Sequence, residues 1–86
     1  MNDVPLREES GWDGAFTRRQ AEGAVPNGTA IVKVRSERGD AHRDGTPGVV
    51  LGSFRDADQL IYFVEWAPRP RVAVGCMSWK IEEAKG

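Results

Sequence analysis

The feature that most constrains this chain is Leu60-Ile61-Tyr62-Phe63-Val64-Glu65-Trp66, which runs straight into Pro68-Arg69-Pro70-Arg71. Seven residues dense in β-branched and aromatic side chains predict a strand. Its alternation groups Tyr62, Val64 and Trp66 on one face, with Ile61, Phe63 and Glu65 on the other. Proline lacks the ladder donor, so the strand must stop and the chain must turn. A single short strand or hairpin is not stable in water, so this segment has to find further strands elsewhere in the chain.

Those partners are legible on both sides. Thr29-Ala30-Ile31-Val32-Lys33-Val34-Arg35 reads as a half-buried strand, with Ala30, Val32 and Val34 inward and Lys33 and Arg35 outward. Gly48-Val49-Val50-Leu51-Gly52-Ser53-Phe54 is a second strand, apolar on both faces, and Arg55-Asp56-Ala57-Asp58 makes the next turn. Val72-Ala73-Val74-Gly75 and a short Trp79-Lys80-Ile81-Glu82 complete the set. Short strands with turns every 8–12 residues or so indicate an all-β barrel or sandwich rather than an α/β fold. The region is too short to fill two large sheets, so the expectation is a strongly bent, five-stranded barrel over residues 28–86. Residues 1–27 are polar with scattered Gly and Pro, and are expected to form a flexible N-terminal arm. Within that arm Trp12 and Phe16 stand out as anchors, and Thr17-Arg18-Arg19-Gln20 has capping-box spacing.

Composition narrows the function classes. The 86 residues carry 12 basic and 13 acidic side chains, net charge −1, well intermixed. Counterion release rewards clustered cations, so nucleic acid is a disfavoured partner; the concentrated candidates are Arg69 and Arg71, with Arg18 and Arg19. No apolar run has the length of a membrane span, and the first residues have neither a basic nor an apolar signal region, so a cytoplasmic protein is expected. One cysteine, Cys76, excludes an intramolecular disulfide framework. Cys76 and Trp79 are read as packing residues. A core this small gains from association, so a homo-oligomer is expected. Val49, Leu51, Ile61 and Phe63, which should point outward from a small barrel, are the candidate subunit contact.

The order of elements resembles an SH3-like barrel: a strand after Asn27-Gly28-Thr29, then Gly48-x-Val50, then Tyr62-x-Val64-x-Trp66, a short hairpin, and Ser78-Trp79-Lys80-Ile81. In that fold a tight turn often precedes the last short strand, where Ser78-Trp79 stands. GDAHRDGTPGVVLGSF and YFVEWAPRPRVAVG are similar to small bacterial proteins of this organisation. That resemblance covers residues 28–82 and brings no activity with it. The order also resembles the plasmid-borne, trimethoprim-insensitive dihydrofolate reductase, a tiny barrel that works as a tetramer around a pore. Its pore strand carries Val-Gln-Ile-Tyr, and the matching Val72-Ala73-Val74-Gly75 has neither the amide nor the phenol. The resemblance therefore implies oligomer formation but not the catalytic residues. Signalling SH3 domains use an Ala-Leu-Tyr-Asp-Tyr aromatic stretch that this sequence lacks.

The only histidine lies in Gly39-Asp40-Ala41-His42-Arg43-Asp44-Gly45-Thr46-Pro47-Gly48. Two carboxylates and an imidazole suit a cation in principle, but Arg43 stands among them and no second histidine or ligand spacing follows. Asp and Gly at these positions are turn chemistry, so the stretch reads as the loop joining the first two strands. One of its carboxylates could turn back onto His42 and raise its pKa. No nucleophile–base ordering, phosphate-binding loop or paired-carboxylate site emerges. The expectation is a non-catalytic interaction module with no metal and no cofactor, contacting a protein or small-molecule partner through Asp40, His42, Asp44, Arg69 and Arg71. The alternatives are an enzyme or ligand-binding pore built at an oligomer interface, or weak nucleic-acid binding through the arginine pairs.

Overall fold

A computed structural model describes residues 3–5 and 19–85. The fold is all-β. Its strands are β1 (Asp3–Pro5), β2 (Ala30–Lys33), β3 (Pro47–Asp56), β4 (Gln59–Trp66), β5 (Val72–Met77) and β6 (Ile81–Glu83), with a 3-10 turn over Ser78–Lys80. They form one antiparallel sheet in the order β1-β5-β4-β3-β2-β6. The five strands from β2 to β6 answer the expected number. β1 is an addition that no periodicity announced. The hydrogen-bonded order is open, with β1 and β6 at its ends. Among the described residues no helix is long and apolar enough to cross a membrane.

β4 is the centre of the sheet, as its alternation predicts. Tyr62, Val64 and Trp66 are at most 3 % exposed, and they meet Ile31, Val50, Val74, Cys76 and Ile81 in one cluster. That cluster draws on every strand from β2 to β6, so the sheet curls until β6 and β5 share a core. β3 carries the irregularity. It runs ten residues, and its register with β4 shifts between Val50 and Gly52, where an extra residue increases local twist. Gly48 permits the tightest approach. A Cβ there would stand 2.7 Å from Trp66 Cε3 and 2.8 Å from Val64 Cγ1, closer than real side chains pack.

β2 reverses the expected facing. Ile31 and Lys33 point inward, at 1 % and 4 % exposure, while Ala30 is exposed and Val32 and Val34 only partly covered. The strand had apolar residues on both faces. Pairing with both β3 and β6 buries the bulky Ile31 in preference to two smaller side chains, and Lys33 follows it by parity. Trp79 also departs from expectation: it lies in the 3-10 turn and is 45 % exposed, with the Lys80 ammonium 5.0 Å from its ring.

The segment just before β2 belongs to the packed body. Ser53 N donates to Arg19 O at 2.7 Å, Ala21 N donates to Ser53 Oγ at 2.9 Å, and Val25 N donates to Tyr62 Oη at 2.8 Å. Ala24 and Val25 pack against the core. The boundary expected at residue 27/28 thus falls inside a segment already bonded to the sheet. The anchors Trp12 and Phe16, and the Thr17-Arg18 end of the capping pattern, lie outside the described residues.

Candidate functional site

The loop from residue 34 to 46 is folded by its own polar groups. Gly39 and Gly45 take positive φ. Lys33 N donates to Thr46 O and Gly45 N donates to Lys33 O, at 2.9 and 2.7 Å, closing the loop's base. Asp44 Oδ1 accepts from Ser36 N at 2.8 Å, and that bond holds its carboxyl below the usual range. The Asp-rich stretch is therefore turn chemistry, as its composition indicates.

Asp40 does something the sequence reading missed. Its carboxylate accepts from Lys33 Nζ at 3.1 Å, from Lys80 Nζ at 2.8 and 2.9 Å, and from Glu37 N at 2.9 Å. Lys80, followed by the Glu37 amide, holds the Asp40 carboxyl far below its ordinary value, despite the opposing effect of burial. The same contact, with Glu37 Oε1 at 2.9 Å, pushes the Lys80 ammonium up. Lys33 Nζ also donates to Ser36 Oγ and Val34 O, at 2.9 and 3.2 Å. Its three N–H donors are thereby matched, which is what permits an ammonium to be buried. The sequence signal was a strand lysine followed seven residues later by a loop aspartate, but spacing alone does not distinguish that from two solvated charges.

Beneath this clamp lies a hollow of about 220 Å³, lined by Lys33, Asp40, His42, Trp66, Cys76 and Lys80 among others. The His42 ring lies 5.3 Å from that of Trp66, tilted by 39°. Burial pushes the Cys76 thiol up, and Lys33 and Lys80 only partly offset it. Among the described residues no three His, Cys, Asp or Glu side chains are grouped to hold a metal ion.

Trp66 also lines a second concavity. This trough, about 350 Å³, is walled by Pro47, Gly48, Val49, Ala67 and Pro70 with Glu65 at one edge. Val49 is 38 % exposed in it. The Pro68–Arg71 turn forms the rim. Arg69 N donates to Trp66 O at 2.9 Å, and Arg71 N, at a positive φ of 69°, donates to Glu65 Oε2 at 2.7 Å. Both arginine side chains are exposed.

The expected contact residues are therefore divided. Asp40 and His42 line the hollow, Asp44 braces the loop, and Arg69 and Arg71 stand beside the trough. The expected subunit-contact residues divide too. Val49 belongs to the trough. Ile61 pairs with Phe54, and Phe63 with Gly52, and the Phe54 and Phe63 rings stack at 5.5 Å. Leu51, Ile61 and Phe63 are partly covered rather than fully exposed. Comparison with known protein families, with characterised proteins and with solved structures finds no match to this chain.

Proposed function

We propose that the chain is an SH3-like barrel acting as a non-catalytic interaction module that takes an apolar side chain of a protein partner into the trough beside Trp66. The observation that carries this reading is Val49, 38 % exposed in a concavity walled, apart from Glu65, by proline, glycine, alanine and tryptophan. Small proteins seldom leave such apolar hollows open except where something binds. Arg69 and Arg71, exposed on either side of the trough-lining Pro70, favour a partner segment with acidic residues flanking its apolar anchor. Support for the SH3-like assignment is the order β5-β4-β3-β2-β6 together with the 3-10 turn entering the last short strand.

The shifted groups Asp40, Lys80 and Cys76 by themselves favour binding over catalysis. General acid–base chemistry wants pKa values near the working pH, and nucleophilic lysines or cysteines want theirs lowered. Here Asp40 is pushed down, Lys80 up and Cys76 up, each away from neutrality. The strand aligned with the reductase pore motif has Ala73 and Val74 buried, which leaves it no polar row for a substrate. Self-association through the Leu51, Ile61 and Phe63 face is part of this reading, as is a reducing, cytoplasmic setting for a chain with one thiol.

A displayed random-peptide selection against the immobilised full chain tests the trough. Enriched sequences should carry one large apolar residue flanked by Asp or Glu, and should lose binding to Val49→Asp and Arg71→Glu variants. Enrichment indifferent to both substitutions sinks the assignment. A monomer at micromolar concentration by light scattering would remove the self-association part alone.

A further inference from the structure

We infer that the outer edge of β5 is a strand-exchange site, taking the β1 strand of a second copy of this chain in place of its own. β1 lies antiparallel on that edge, with Asp3 opposite Val74, Val4 opposite Ala73 and Pro5 opposite Val72. It is three residues long, and Pro5 supplies no N–H, so the ladder it forms is short and each bond adds only about 1 kcal/mol. Such a strand leaves its edge readily. The bared edge of β5 then presents unpaired backbone groups, a template that another extended strand satisfies equally well.

Chain length permits the exchange. Thirteen residues, 6–18, connect Pro5 to Arg19, which is bonded to Ser53 on β3. Fully extended, that many residues span about 45 Å, more than the 31 Å longest extent of the molecule. The strand that reaches its own β5 therefore also reaches a neighbour's. Reciprocal exchange between two copies needs no contact that the single chain does not already make, and it closes with two-fold symmetry. Ala73, opposite β1, is 0 % exposed yet stands outside the core cluster. The surface is distinct from the trough, so the inference stands or falls apart from the proposed function.

The linker sets the concentration scale. An intramolecular strand on a short linker competes at an effective concentration of about 1 mM, so exchange should be scarce at micromolar protein and substantial near that value. The test is disulfide trapping in the full chain carrying Cys76→Ala. Directly opposed residues of an antiparallel pair have Cα atoms about 4.5–5.5 Å apart, within disulfide reach. Chains carrying Pro5→Cys are mixed with chains carrying Val72→Cys under glutathione buffer, and in parallel with chains carrying Glu83→Cys on β6. The expected result is a heterodimeric disulfide with the Val72→Cys partner at least about tenfold above the Glu83→Cys partner, rising with concentration. A single chain bearing both Pro5→Cys and Val72→Cys should close internally at about 1 µM and link into dimers near 1 mM. Equal trapping with both partners, or failure of the double variant to close internally, overturns the inference.

Discussion

Replacing Asp40 by alanine should unfold this domain more readily than any other single charge removal, and the structure says by how much. Breaking a fully buried ion pair from one side costs about 3–5 kcal/mol. The Asp40 side chain is 21 % exposed, against 5 % for Lys33, and Lys33 Nζ keeps Ser36 Oγ and Val34 O as acceptors. Those two facts reduce the expected loss to about 2–3 kcal/mol. For a domain of this length, total stability is of the order of 4–13 kcal/mol. With a urea m-value of about 1 kcal/mol/M, the midpoint should fall by about 2–3 M, followed through tryptophan fluorescence, to which buried Trp66 contributes.

Two controls isolate the cause. Lys33→Met fills the same space without a charge and should be within about 1 kcal/mol of the natural chain, since apolar replacement of a buried ion is often neutral. In the Lys33→Met background, Asp40→Ala should cost at least about 1 kcal/mol less than it does alone. The pH dependence has a fixed sign. Folding lowers the Asp40 pKa below its ordinary 3.8, so its contribution is complete above that value and is lost as pH falls toward the folded one. The natural chain should therefore lose stability faster than the Asp40→Ala variant between about pH 5 and pH 2. Parallel pH curves, or equal costs in the two backgrounds, would refute the clamp.

Three further outcomes follow from single contacts. Gly48→Ala places a Cβ 2.7 Å from Trp66 Cε3 and should destabilise by about 1–3 kcal/mol through overpacking; a thermal melt matching the natural chain would contradict that packing. Tyr62→Phe removes the acceptor of Val25 N, which should cost about 1 kcal/mol and speed amide exchange at Val25, and unchanged exchange there would place the bond elsewhere. The Cys76 thiol, buried and with its pKa raised, should react slowly with a disulfide reagent at pH 8 and rapidly in denaturant. Fast stoichiometric labelling of the native chain would mean that the hollow is open to solvent.

The sheet was legible where a strand had one apolar face, and ambiguous where it had two. β4 alternates Tyr62, Val64 and Trp66 against Ile61, Phe63 and Glu65, so one register is strongly preferred and the sequence names it. β2 offers Ala30, Val32 and Val34 against Ile31 and two cations. There the rule that charges face water selects the wrong face, because it prices Lys33 without its partner. The partner is in the loop. Asp40, Ser36 and the Val34 carbonyl together match every donor of the ammonium, and only the three-dimensional return of the chain assembles them. The loop's glycines and aspartates predicted its turns correctly, yet Asp40 and Asp44, four residues apart, have opposite roles: one binds two cations under the sheet, the other caps a backbone amide.

The same long-range return explains why the site stayed hidden. Trp66, visible as a core residue, lines both the charged hollow and the apolar trough, and the other walls come from β2, β3, β4, β5, the loop and the turn after Trp66. Local patterning reports which face of a strand is buried; it does not report which loops close over that face. On the loop side, the lysines and Asp40 are bonded to one another. On the turn side, Val49 is left 38 % exposed. Trp66 thus lines both a hollow whose lysines and Asp40 are paired with one another and an apolar trough in which Val49 is 38 % exposed, and it is the trough that the proposed partner side chain would fill.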